Sequence, residues 1–244
     1  MTPATLPVLI LTGRPAAGKS EVIDFLKNTE ARLRRERFHI GAFEELDDFL
    51  YVWETFETDD ILTRHGRRRL WTDERYWFTD EFVWDLYLER INLEYRKKLA
   101  RDPAYHDATT TIVEFARGGA GAIAHALSCL HDDILSRAAL VYIHVSYEES
   151  LRKNRARARK GEEHSILYHS LPDEKMEHYY RTNDWEDLEG RDPSFIRVRD
   201  FRVPYAVFEN EPEKTLDASL LGAELERVTA RVWSARASAA GAGR

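Results

Sequence analysis

The fold turns on the stretch Leu6-Pro7-Val8-Leu9-Ile10-Leu11-Thr12-Gly13-Arg14-Pro15-Ala16-Ala17-Gly18-Lys19-Ser20. Its first half is a short continuous apolar run, the pattern of a strand buried on both faces of a parallel sheet. Its second half, Gly13 to Ser20, matches G-x-x-x-x-G-K-[ST] in full. It also lies where that motif has meaning, between a strand and a helix expected from Ser20 to about Arg37. Gly13 and Gly18 allow a tight turn with N–H groups aimed inward. Lys19 brings a positive charge to β and γ phosphates, and Ser20 is suited to ligating Mg²⁺. The helix N-terminus adds its dipole. Gly13, Arg14, Pro15, Ala16, Ala17, Gly18, Lys19 and Ser20 together form the candidate nucleotide-binding set, with ATP and Mg²⁺ as the implied ligands.

Working outward, Phe38–Phe43, Thr109–Phe115, Ala139–Val145 and Arg202–Glu209 read as four further strands. Helices alternate with them. Val22, Phe25, Leu26 and Leu33 give the first helix its apolar stripe. Asp80 to Leu99 carries Val83, Tyr87, Ile91, Tyr95 and Leu99 at i+4 steps. An alanine-rich helix ends near Ser136, a basic helix covers Glu148–Lys160, and a short one covers Pro172–Arg181. A final helix from about Pro212 to Trp233 sets Leu216, Leu220, Leu225, Val228 and Val232 on its apolar side. This alternation predicts an α/β fold with a parallel sheet covered on both faces. One domain is expected over residues 1–236. The small-residue stretch 237–244 is expected to be a flexible tail.

Forty-three acids against 36 bases give a net charge of −7, which speaks against a protein that coats nucleic acid. The single cysteine, Cys129, rules out an internal disulfide and argues against a cysteine-based zinc site. The nine histidines show no metal-ligand spacing. The N-terminus has no basic leader region, and Val8–Leu11 is too short to span a membrane. A cytoplasmic protein without membrane or nucleic-acid partners is therefore expected, as monomer or homodimer.

Charge and aromatics are unevenly distributed. Glu44 to Asp60 holds eight acids and no base, and Arg64 to Arg69 holds four arginines and a histidine. Twelve of the 28 aromatics lie between Phe43 and Tyr87, four of them tryptophans. There is no N-K-x-D guanine motif, and the third strand ends Ile112-Val113-Glu114-Phe115 rather than in Asp-Glu. After the second strand comes Leu46-Asp47-Asp48-Phe49-Leu50-Tyr51. Adjacent carboxylates suit two adjacent tasks, deprotonating an acceptor hydroxyl and holding Mg²⁺, because a metal-bound carboxylate is a poor base.

At this point the sequence resembles the P-loop kinases of small molecules. The loop GRPAAGKS is like theirs, with Ala at 16 and 17 where Gly or Ser is usual. LDDFLY is similar to the D-[DS]-F-[YF] element of uridine and nicotinamide riboside kinases. The basic helix resembles the arginine-bearing lid of nucleoside kinases. The resemblance implies a three-layer P-loop fold with a five-stranded parallel sheet in order 2-3-1-4-5. It also implies a helical acceptor-binding insert over 44–108 and a lid over 148–185. Asp47 takes the role of base, Ser20, Asp48 and Glu114 those of metal ligands, and Lys19, Arg155 and Arg159 stabilise the transferring phosphoryl group. Asp47, Arg117 and Trp53 are the expected acceptor contacts, with Trp71, Trp77 and Trp84 as further candidates for a ring-stacking pocket. The partner is then a small-molecule acceptor. The alternative is a P-loop regulatory protein that binds nucleotide without transferring phosphate.

Overall fold

The apolar run that ends at Gly13 forms the third-ranked, fully interior strand of a six-stranded sheet in the computed structural model, which describes residues 5–157 and 170–242. In chain order the elements begin with β1 (Val8–Gly13), α1 (Lys19–Asn28), α2 (Ala31–Phe38), β2 (Ala42–Asp47), α3 (Asp48–Arg64) and α4 (Val83–Arg101). They continue with α5 (Tyr105–Ala108), β3 (Thr109–Phe115), α6 (Ala122–Cys129), α7 (Asp132–Leu135), β4 (Ala138–His144) and α8 (Tyr147–Arg157). The last are α9 (Asp173–Tyr180), α10 (Trp185–Glu189), β5 (Phe195–Val198), β6 (Phe201–Glu209) and α11 (Ala218–Ala242).

The strand order is β2-β3-β1-β4-β6-β5. The first five positions are parallel throughout. The expectation of five strands is corrected by β5, which pairs antiparallel with β6 at the sheet edge. Ile196 and Val198 are buried with exposed Arg197 between them, the alternation of a strand with one face to solvent, and Arg199 at φ 51° turns the chain back into β6. The two faces of the sheet are packed separately. Val8, Ile10, Val113, Leu140 and Tyr142 pack with α4, α6 and α7. Leu9, Leu11, Ile112, Val141 and Ile143 pack with α1 and α11. Each such side chain contributes about 1.5–3 kcal/mol by leaving water, so this three-layer sandwich holds the strand ends, and the loops on them, firmly in place.

Several boundaries shift. The expected first helix is two, broken at Thr29, because the buried Arg34 guanidinium turns back to the carbonyls of Leu26, Thr29 and Gly41. Leu33, expected in the apolar stripe, is consequently exposed. The second strand starts at Ala42 rather than Phe38, because Phe38 and Ile40 are needed to bury the turn that precedes it. As the outermost strand, β2 tolerates exposed Glu44 and Glu45. The final helix starts at Ala218, leaving Leu216 and Leu220 exposed, and it continues to Ala242 through most of the expected tail. That tail is alanine-rich, and alanine has the highest intrinsic helix propensity. Most of the aromatic excess is packing: Val52, Val83 and Tyr87 bury one another under Tyr51, Phe56, Trp71, Phe78 and Trp84 between α3 and α4. Among the described residues no helix is long and apolar enough to cross a membrane.

Candidate active site

The loop from Gly13 to Ser20 joins β1 to α1. A Cβ at Gly13 would lie 2.5 Å from the Ile143 carbonyl oxygen, so the loop runs too close to β4 for any side chain. Gly18, at φ 120°, is backed by Asn210 and Thr215 and would strain any other residue. Ala16 also has a positive φ of 56°. The buried Asn210 donates to the Ala17 carbonyl at 2.7 Å and accepts from the Lys214 N–H, holding the loop from behind. Ser150 of α8 donates to the Pro15 carbonyl at 2.7 Å. Arg14 reaches the carbonyls of Val145 and Tyr180 at 3.0 and 3.2 Å, tying the loop to both ends of the segment expected as a lid. Asn210 and Ser150 have no sequence signature, because their roles exist only once the sheet has formed.

Lys19 is buried. Its Nζ donates to the Arg14 carbonyl at 3.2 Å and lies 4.0 Å from Oε1 of Glu114. Burial lowers the affinity of this ammonium for its proton, partly opposed by Glu114. Ser20 is exposed at the start of α1, where the first N–H groups have no partner inside the helix. Phosphates are the ligands such a cationic helix N-terminus accommodates.

Two carboxylates face this lysine. Asp47 ends β2 and Glu114 lies near the end of β3, paired in direct register. Asp47 also caps α3, its Oδ1 accepting from the Phe49 N–H at 2.9 Å. Burial, reinforced by the charges of Glu114 and Asp48, pushes the Asp47 carboxyl up to about 8. Burial likewise raises Glu114, with Lys19 acting the other way. Asp48 points elsewhere. It is buried against the equally buried Arg117 in a short ion pair. Arg117 also donates to the carbonyls of Ala116 and Trp84 at 2.7 and 3.0 Å, with the Trp84 ring 4.9 Å from its guanidinium carbon.

The structure thus brings Lys19, Asp47, Asp48, Glu114 and Arg117 together. Trp53 lies further along α3, its indole N–H donating to Glu57 at 3.0 Å and its ring set against Phe49 and Phe56. Among the described residues, the rings of Trp84 and Phe115 both stand against Arg117, their centroids 4.9 and 5.7 Å from its guanidinium carbon. Of the expected lid arginines, Arg155 is exposed and paired with Asp173 of α9 at 2.6 Å, and Arg159 lies outside the described residues. Arg157 approaches the loop instead, bonding Glu21 at 2.7 Å beside Ser20, and its charge reaches both Lys19 and Glu114. Positions 155 and 157 differ by roughly 200° around a helix, so one α8 cannot offer both to the loop.

No protein-family model matches the chain, and no curated protein matches it. Solved structures do. TT1252 from Thermus thermophilus is 18% identical with a TM-score of 0.45, covering 91% of this chain and 94% of that one. A shikimate kinase from Acinetobacter baumannii in complex with shikimate is 18% identical at a TM-score of 0.36, covering 77% and 78%. A shikimate kinase from Bacteroides thetaiotaomicron is 16% identical at 0.38, covering 90% and 94%. None of these likenesses bears on the substrate or the chemistry of this chain.

Proposed function

We propose that this protein is an ATP-dependent kinase acting on a hydroxyl group of a small molecule. The observation that carries the reading is the in-register pair Asp47 and Glu114, set against the buried Lys19 at the start of α1. A nucleotide-binding regulator needs the loop and its lysine. It has no need of a second carboxylate beside the first, fixed by a helix cap and poised near neutral pH.

The residues fit ATP and Mg²⁺. The loop follows a path only glycine allows at Gly13 and Gly18, and a buried ammonium and an exposed hydroxyl flank it. Bound there, Mg²⁺ and ATP supply an electrophilic γ-phosphorus with part of its charge neutralised. Lys19 and the first N–H groups of α1 bind and orient the phosphates. Ser20 and Glu114 are the residues that would hold the ion, since Asp48 is engaged by Arg117. Asp47 takes the proton of the acceptor hydroxyl as that oxygen attacks. Arg157 places positive charge beside the loop, where charge develops in the transferring group. Arg117, just after β3, fixes the β2–α3 junction through Asp48, and it forms a wall with Trp84 of the insert between β2 and β3, the acceptor side of the site.

The test is a mass-spectrometric screen for phosphorylated products from a metabolite pool supplied with ATP and Mg²⁺. Wild-type protein should yield a product that Lys19→Ala and Asp47→Asn do not. Nucleotide binding with no product, or an undiminished product from Asp47→Asn, would overturn the reading.

A further inference from the structure

Away from the loop, α4 and α6 lie side by side and present three chemically unlike side chains to one another. His125 and Cys129 stand one helical turn apart on α6, on the same face. Asp85 comes from the first turn of α4. A donor atom of each lies within 4.8 Å of the other two. We propose that Asp85, His125 and Cys129 form a binding site for a divalent transition metal of the zinc type.

The distances favour this. In a tetrahedral zinc site sulfur lies about 2.3 Å and imidazole nitrogen about 2.0–2.1 Å from the ion, which sets those donors roughly 3.6 Å apart. Sγ of Cys129 is 3.6 Å from Nε2 of His125. Nitrogen and carboxylate oxygen on one zinc are separated by roughly 3.3 Å. The Asp85 oxygens are now 2.9 and 3.0 Å from Nε2, at hydrogen-bond distance, so a small rotation of the Asp85 side chain makes room for the ion.

The arrangement is also held from behind. Buried Asn92 of α4 donates to the Cys129 carbonyl at 2.8 Å and accepts the His131 N–H at 2.8 Å. Asp184 caps the other end of α6, accepting from the N–H groups of Ile123 and Ala124 at 2.9 and 3.0 Å. With both ends of α6 fixed, the three donors meet because the backbones put them there. Glu89, one turn beyond Asp85, adds a negative charge that reaches Cys129. Thiolate, imidazole and carboxylate are a donor set that suits zinc or cobalt and is a poor match for Mg²⁺, which prefers oxygen. Binding replaces the thiol proton with the metal and leaves the imidazole proton on Nδ1, so one proton is released for each ion bound by a protonated thiol.

This expectation departs from the sequence. One cysteine excludes a cysteine cluster, not a mixed site, and His–His spacing cannot reveal a His–Cys pair completed from 40 positions away.

The test uses the full chain with Mg²⁺ in excess to saturate oxygen-rich sites, and Co²⁺ as probe. One equivalent of Co²⁺ should produce a thiolate-to-cobalt charge-transfer band that Zn²⁺ abolishes. Cys129→Ser should remove the band, and His125→Ala and Asp85→Ala should each weaken Zn²⁺ binding at least about tenfold. Lys19→Ala should leave the band intact, which separates this site from the kinase reading. Circular dichroism of each variant confirms that it is folded. Absence of the band in wild-type protein, or a band unchanged in folded His125→Ala and Asp85→Ala, would overturn the proposal.

Discussion

Asp47, the last residue of β2, pairs in direct register with Glu114, one residue short of the end of β3, and the only cation within salt-bridge distance of Glu114 among the described residues is Lys19, at 4.0 Å. A half-buried and a buried acid sharing one ammonium cannot both be ionised cheaply. The site therefore stores a proton, and four predictions follow from where it sits and what surrounds it.

Asp47→Asn keeps the α3 cap, since asparagine caps as well as aspartate, and removes the base. Turnover should fall about 10²- to 10⁴-fold while ATP affinity is retained. Steady-state kinetics beside a nucleotide-binding titration checks both. Asp47→Ala should show the same catalytic loss together with about 1 kcal/mol of lost stability from the missing cap.

Stability should depend on pH through the same residue. Its carboxyl stands at about 8 in the folded chain against an ordinary 3.8, so the folded state holds the proton more tightly than the unfolded one. This contribution favours folding least at high pH: stability falls as pH rises from about 4 to about 8, then levels off, by at most about 1.4 kcal/mol per pH unit. Asp47→Asn should lack this decline. Its Tm, relative to wild type, should climb between pH 5 and pH 8; parallel Tm curves would contradict the assignment.

Arg157 and Arg155 should separate cleanly. Removing a positive charge that stabilises a transferring phosphoryl group costs on the order of 10³-fold in turnover in favourable cases. Arg157→Ala should therefore reduce kcat strongly, whereas Arg155→Ala, which loses an exposed pair with Asp173, should change it little. Equal effects would remove Arg157 from the mechanism.

The buried pair of Asp48 and Arg117 gives a stability test. Removing one partner leaves an uncompensated buried charge, at a cost of about 3–5 kcal/mol. Arg117→Met alone should be severely destabilised in urea denaturation. The double variant Asp48→Leu, Arg117→Met should recover much of the loss. A double variant no better than the single one would show that Arg117 acts mainly through the Trp84 and Ala116 carbonyls.

The loop from Gly13 to Ser20 was legible in the sequence because its pattern is local: eight contiguous residues fix both the turn and the charge. Asp47 was legible for a similar reason, as an acid pair closing a strand. Arg157 was not, because choosing it over Arg155 requires knowing that Glu21 lies across from α8. Trp84 was hidden among tryptophans of identical composition and different surroundings. Strand β5 escaped because it is only four residues long and, among the described residues, pairs only with β6. Local chemistry can be read directly, whereas partners distant in sequence need the fold.

The first turn of α4 faces two ways. Trp84 gives its carbonyl and ring to Arg117, and the next residue, Asp85, turns to His125. An ion that drew on Asp85 would thus pull on the backbone that holds Trp84 against Arg117. Linkage is reciprocal: whatever factor the ion applies to acceptor affinity, the acceptor returns to ion affinity. A chain built this way would report its cell's supply of one metal through the concentration at which it takes up its substrate.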